Sequence, residues 1–69
     1  MISLIDIRNK LIEAIKQSSL TQKELAEKLQ VSQSCVSHYV RGTKMPSLDT
    51  FANLCKILDV DPAYILCVD

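Results

Sequence analysis

The chain has 69 residues, 48% of them hydrophobic and 4% aromatic, and eight basic and eight acidic side chains give a formal net charge of zero. This length predicts a single domain, residues 1–69, with a core built of aliphatic side chains. Three cysteines without Cys-x-x-Cys spacing and one histidine do not form a zinc-site pattern, so we expect no metal and no other cofactor.

Several function classes lack their usual sequence features. No stretch approaches the roughly 20 apolar residues of a membrane span, and the first residues do not resemble a signal peptide. We therefore expect a cytoplasmic protein with no membrane partner. The sequence has no glycine-rich phosphate loop and no Ser-His-Asp, Cys-His or paired-carboxylate arrangement, which argues against an enzyme and against a small-molecule substrate.

The charges are unevenly distributed along the chain. Residues 30–48 contain two basic residues and no acid, whereas residues 49–69 contain one basic residue and four acids. Phosphate neutralisation by Lys and Arg drives non-specific binding to nucleic acid. The sequence therefore predicts modest, salt-sensitive binding of this kind, centred on the basic segment.

The first predicted helix starts after Ser3, which can cap it, and fades near Gln17. Helical spacing gives one apolar face, consisting of Leu4, Ile7, Leu11 and Ile15. The apolar start from Ile2 to Ile7 is broader than one small core requires. It is either additional core or a surface for a partner.

The second helix begins with a capping box, in which Thr21 and Glu24 can each accept from the backbone amide of the other. Leu20 precedes it as a hydrophobic staple. The apolar face that follows consists of Leu25, Ala26 and Leu29. Ala26 is small enough for another helix to cross closely.

A third helix follows after a turn of about three residues. Ser32 is a good N-cap, Val36 and Tyr39 point to the core, and Gly42 ends the helix with Pro46 shortly beyond. Two short helices joined by such a turn form a helix-turn-helix, here at about residues 22–41.

The outward face of the third helix consists only of hydrogen-bonding side chains without a carboxylate: Gln33, Ser34, Ser37, His38 and Arg41. Such a face suits the groove edges of a polyanion, since Gln can bond adenine, Arg guanine or phosphate, and Ser either base or phosphate. The partner that this face predicts is double-stranded DNA. Lys44, in the loop after the helix, would lie close to the DNA backbone.

At this point the sequence resembles the helix-turn-helix family of the phage lambda repressor and Cro proteins. The matching residues are Gln22, Leu25-Ala26, Leu29, Val31-Ser32, Gln33-Ser34, Val36-Ser37, Arg41-Gly42 and Pro46. The resemblance extends from about Leu11 to Leu66. One departure is Gln30, because the family often has glycine at the turn; a left-handed Gln30 would cost roughly 1–2 kcal/mol.

The resemblance implies an all-α fold, a compact five-helix bundle of the lambda repressor-like type. It also implies a sequence-specific DNA-binding transcriptional regulator of the phage or prophage repressor type, reading the major groove with helix 33–41 as a homodimer. The residues predicted to contact DNA are Gln22, Ser32, Gln33, Ser34, Ser37, His38, Arg41 and Lys44. An alternative is a protein-interaction module with the same fold, such as an antitoxin subunit or an adaptor.

Two more helices complete the predicted bundle. Ser47 is expected to cap a fourth helix from Leu48 to about Leu58, in which Ala52 permits close approach. Its predicted apolar face consists of Leu48, Phe51, Leu54, Cys55 and Leu58. Asp61 and Pro62 start a fifth helix, Ala63 to about Cys67. The last apolar residues, Ile65 to Val68, either close the core or contact a second subunit.

Overall fold

Five α-helices and no strands make up the computed structural model, which describes every residue from Met1 to Asp69. The helices are α1 Leu4–Gln17, α2 Gln22–Leu29, α3 Gln33–Arg41, α4 Leu48–Leu58 and α5 Pro62–Ile65. The predicted all-α, five-helix architecture is thus confirmed. None of the helices combines the length and the apolar character needed to cross a membrane.

Polar side chains cap the N-termini of four helices and fix where they start. The capping residues are Ser3, Thr21, Ser32 and Asp61. The Thr21 hydroxyl accepts from the Glu24 amide at 3.1 Å, and the Glu24 carboxylate accepts from the Thr21 amide at 3.0 Å, so both halves of the predicted capping box form. Each cap of this kind contributes about 1 kcal/mol.

The start of α4 uses a different arrangement from the predicted one. Ser47 occupies the N-cap position, but its side chain accepts no backbone hydrogen bond. Its hydroxyl instead donates to the Asp49 carboxylate at 2.6 Å, and Asp49 accepts from the Thr50 amide at 2.9 Å. The prediction of a Ser47 side-chain cap is wrong, because the Asp49 carboxylate is a stronger acceptor for the Thr50 amide than the Ser47 hydroxyl is.

The core is a single cluster to which all five helices contribute. Its members are Leu11, Ile15, Leu25, Ala26, Val36, Tyr39, Phe51, Leu54, Cys55 and Ile65. Helix α3 packs against α2 and α1, and α5 against α1. Because Val36 is fully buried and Tyr39 is 4% exposed, the inward face of α3 is fixed by the core. Burial of Ile65 shows that this part of the tail closes the core.

Some predicted core residues are on the surface. Leu4 is 62% exposed and Leu48 is 83% exposed, and Ala52 is also exposed. Ile2 and Ile5 are likewise exposed, because no other element covers the first turn of α1. Helical spacing identified the apolar faces of α1 and α4 correctly, but the short neighbouring helices do not cover the ends of these two faces.

Helices α2, α3, α4 and α5 are each followed by a residue in the left-handed conformation, namely Gln30, Gly42, Asp59 and Cys67. The amide of the next residue then donates back to a carbonyl in the last turn. These next residues are Val31, Thr43, Val60 and Val68. This is the hydrogen-bond pattern of a Schellman motif. It ends α5 at Ile65, two residues earlier than predicted, since Cys67 has φ 63°.

Candidate nucleic-acid interface

Helix α3 is held on one side and open on the other. The Ser32 hydroxyl accepts from the Cys35 amide at 3.0 Å, which fixes the first turn. Val36 and Tyr39 anchor the helix in the core. The first amides of a helix have no intrahelical acceptor, so this N-terminus can also attract an anion.

The five predicted α3 residues lie outside the core. Gln33, Ser34 and Arg41 are exposed, while Ser37 and His38 are half-buried. No Asp or Glu occurs in residues 30–48, so no carboxylate of this segment opposes an approaching phosphate. The structure therefore presents donors and acceptors on α3 with no acid among them.

Gln22 and Ser32 lie at the N-terminal ends of the two helices. Gln22 is the first residue of α2, and Gln33 is the first residue of α3; both are exposed. No hydrogen bond joins the two glutamine side chains, so both amides remain available to a ligand. Ser32 is exposed as well, although its hydroxyl already serves as the cap.

Lys44 folds back along α3 from the following loop. Its Nζ lies 3.8 Å from the Sγ of Cys35, in the first half of the helix. The sequence placed this charge beyond the C-terminal end of α3, and the path of the loop returns it towards the N-terminal end. Arg41 and Lys44 therefore supply positive charge along the helix and not only at its end.

The surroundings of Tyr39 disfavour ionisation of its hydroxyl. Burial, followed by a hydrogen bond with Cys35, raises the pKa of Tyr39 to about 12. The ring thus acts as a core anchor that carries no charge near the interface at neutral pH.

His38 has a partner that the sequence did not indicate. Its Nδ1 lies 2.8 Å from the hydroxyl oxygen of Thr43, and the Thr43 hydroxyl lies 3.2 Å from the His38 carbonyl oxygen, to which it donates. Sequence reasoning missed Thr43 because only the turn after Gly42 brings the two residues together. The polar residue directly after the helix-ending glycine was the one available signal.

Arg8 of α1 is a second residue that the sequence analysis missed. Its guanidinium donates to the Gly42 carbonyl at 3.4 Å, which ties α1 to the end of α3. Because the contact joins residues 34 positions apart, no local pattern could reveal it. The contact stabilises the C-terminal end of α3, where a cation is favourable.

The surface has two clefts, and the smaller one, about 140 Å³, is lined in part by Gln22, Leu25 and Val40. The largest cleft, about 270 Å³, has no lining residue from α2 or α3, and Lys10 lies beside it with Nζ 4.2 Å from the Tyr64 ring centre. No group of three His, Cys, Asp or Glu side chains is close enough to hold a metal ion. Neither cleft includes a residue of the outward α3 face.

Comparison with known proteins identifies the family. Residues 11–65 match the helix-turn-helix family model, which covers most of the chain. The chain belongs to the Cro/C1-type helix-turn-helix family, as the sequence signature predicted.

Two curated relatives come from Bacillus subtilis (strain 168). The chain is 34% identical over 62 residues to the HTH-type transcriptional regulator ImmR, an alignment that covers 90% of this chain and 49% of ImmR. It is 37% identical over 51 residues to the uncharacterized HTH-type transcriptional regulator YqaE, covering 74% of this chain and 44% of YqaE. The chain thus spans about half the length of these relatives.

Proposed function

We propose that this domain binds double-stranded DNA in a sequence-specific manner and regulates transcription. The observation that carries the proposal is the acid-free outward face of α3, opposite the buried Val36 and Tyr39. A helix held in this way can enter the major groove, where each base pair presents a distinct pattern of donors and acceptors. The regulator names of both relatives support it.

The side chains divide into two groups by their position. Gln33 and Ser34, exposed at the N-terminal end of α3, are proposed to read base edges. Arg41 and Lys44 are proposed to contact phosphates, which position a protein without reading sequence. Gln22, at the start of α2, is proposed to join the phosphate contacts.

Ser32, Ser37 and His38 complete the proposed contact set. The Ser32 hydroxyl already caps α3, so its contribution to DNA binding comes through the helix N-terminus that it stabilises. Ser37 and His38 are half-buried on the same side, where a small side chain leaves room for the groove wall. His38 extends further and is proposed to reach a base.

Two copies are proposed to bind together. A homodimer on DNA would read two half-sites about 34 Å apart, one helical turn of the duplex. Repression would follow from occupation of a promoter by the dimer. A palindromic consensus in a binding-site selection from random duplexes would support both the symmetry and the spacing.

The deciding experiment compares specific and non-specific duplexes by fluorescence anisotropy. Gln33→Ala and Ser34→Ala are each expected to weaken binding to the selected site by about five- to tenfold, since each removes about one hydrogen bond. Gln17→Ala, an exposed glutamine at the end of α1, is the matched control and should bind as the wild type does. Failure of the selection to return any preferred site would contradict sequence-specific binding, and an equal loss on all duplexes would reduce it to backbone binding.

A second candidate function is a protein-interaction module, and the exposed start of α1 favours it. Ile2, Leu4 and Ile5 are each more than half exposed within four consecutive positions, which is a large apolar surface for so small a domain. A native pull-down that recovers a stoichiometric protein partner, combined with no preferred duplex, would favour this candidate over the first.

A further inference from the structure

We propose that Thr43 is a positioning residue that fixes the ring of His38 in one tautomer, and that His38 thereby selects a base carrying an amino group in the major groove. The inference rests on the proposed function and deepens it, because it assigns a chemical preference to one position of the site.

The Thr43 hydroxyl has a single proton and two neighbouring acceptor positions on His38. The hydroxyl oxygen lies 3.2 Å from the His38 carbonyl oxygen and 2.8 Å from His38 Nδ1. A carbonyl oxygen only accepts, so the Thr43 proton goes to it when both contacts form. The shorter contact then requires a proton on Nδ1, which donates to the Thr43 oxygen.

A neutral imidazole carries one proton, and the hydrogen bond of one ring nitrogen decides the state of the other. With Nδ1 protonated, Nε2 of His38 is an acceptor, and it makes no hydrogen bond within the chain. In the major groove the groups that donate to an acceptor are cytosine N4 and adenine N6, whereas guanine and thymine present acceptors there. His38 is therefore expected to favour an amino group and to disfavour a carbonyl.

The backbone holds the Thr43 hydroxyl in place before any DNA arrives. The Thr43 amide donates to the His38 carbonyl at 3.0 Å as part of the turn that ends α3. Gly42 adopts the left-handed conformation that this turn requires. Because the amide and the hydroxyl of Thr43 both donate to the His38 carbonyl, the Thr43 side chain needs little further ordering to orient the His38 ring.

The first test needs no DNA, because His38 is the only histidine in the chain. Nitrogen-15 spectra of the imidazole are recorded at a pH high enough that the ring is neutral. We expect Nδ1 at the chemical shift of a protonated nitrogen and Nε2 at that of an unprotonated one. Thr43→Val, which removes the hydroxyl at nearly constant shape, should shift the ring towards the opposite tautomer, and Thr43→Ser should keep the wild-type pattern.

The second test uses duplexes in which each base pair of a selected site is changed in turn. Wild-type protein and Thr43→Ser should show a preference for cytosine or adenine at one position, and the duplex set distinguishes between these two bases. Thr43→Val should reduce that preference by about five- to tenfold, the contribution of about one hydrogen bond, with other positions unchanged. Since Thr43 is exposed, thermal unfolding should confirm that all variants fold.

The two tests separate this inference from the proposed function. A protonated Nε2 in the wild type, or an unchanged ring spectrum in Thr43→Val, would overturn the tautomer assignment even if DNA binding is specific. A uniform loss of affinity at all positions in Thr43→Val would overturn the selection by His38. Absence of any specific binding by the wild type would overturn the proposed function and the base preference, while the ring spectrum would still decide the role of Thr43.

Discussion

Replacing Gln30 by glycine is expected to stabilise the domain, although glycine usually weakens a fold. Gln30 follows α2 with φ 60° and ψ 40°, a left-handed backbone conformation that residues with a Cβ rarely adopt. Its amide bonds the carbonyls of Ala26 and Glu27, so the backbone is fixed there. The Gln30 side chain is exposed and makes no hydrogen bond within the chain, so glycine removes no side-chain contact.

The size of the effect is the difference of two terms. The left-handed conformation costs an L-residue roughly 1–2 kcal/mol, which glycine avoids. Glycine loses about 0.5–1 kcal/mol more than alanine on folding, through the greater freedom of its unfolded chain. The free energy of unfolding should therefore rise by about 0.5–1 kcal/mol, which for a domain of this size raises Tm by about 2–8 °C.

Urea and thermal unfolding of three proteins measure this directly. Gln30→Gly is compared with the wild type and with Gln30→Ala, which removes the same side chain but keeps the Cβ. Only the glycine variant should gain stability, with an unchanged dependence on urea concentration. If Gln30→Gly is no more stable than Gln30→Ala, backbone strain at this turn is not the cause and the reasoning fails.

Four other variants test the end of α3, the capping box and the basic residues. Gly42→Ala should lower the free energy of unfolding by about 0.5–1 kcal/mol in urea titrations, because the cost to alanine of φ near 74° exceeds the extra entropy that glycine loses on folding. The Thr21 backbone amide, followed by the Thr21 hydroxyl, lowers the pKa of Glu24. Wild-type stability should therefore fall as the pH drops from the ordinary Glu range through that lower folded pKa, and Glu24→Gln should lose less in unfolding curves at a series of pH values. Arg41→Ala and Lys44→Ala should each reduce the slope of log affinity against log salt by about one, measured by anisotropy.

The capping-box and salt-dependence predictions each have a control in the same chain. Glu27→Gln changes an exposed carboxyl that takes no part in the cap. If Glu24 is the cause, this variant should lose stability at low pH as steeply as the wild type does. Lys56→Ala removes a charge on α4 and should not alter the salt slope. Unchanged stability of Gly42→Ala would show that the turn accepts a Cβ, despite Arg8 Cδ at 3.3 Å from its position.

Local patterns predicted the helix starts well, because the groups that form a cap lie within three residues of one another. The Thr21–Glu24 pair is in the structure as the sequence indicated, and Gln30 adopts the left-handed conformation although it is not glycine. Ser47 was predicted as a side-chain cap, but the Asp49 carboxylate accepts from the Thr50 amide at 2.9 Å in its place. Two local hydrogen bonds of similar range were possible there, and position alone does not decide between them.

Burial and the details of the site depend on contacts between distant residues. Helical spacing defined the face of α1 that includes Leu4, but not how far its neighbours extend along that face. The outward side of α3 was predictable because the core residues of the same helix fix it. The return of Lys44 to Cys35 and the contact of Thr43 with His38 depend on the path of the loop after Gly42, which the sequence pattern does not specify.

The repeated helix ending allows one side chain to vary while the backbone stays the same. The residue after the left-handed position is valine at the ends of α2, α4 and α5, and it is Thr43 at the end of α3 alone. Val31 and Val60 pack against the core from this position, whereas Thr43 is exposed and does not pack against it. A shared structural motif thus leaves a position beside α3 that the core does not constrain. If Thr43 has the role proposed above, an exchange there would change the base preference of the helix while the fold stays the same.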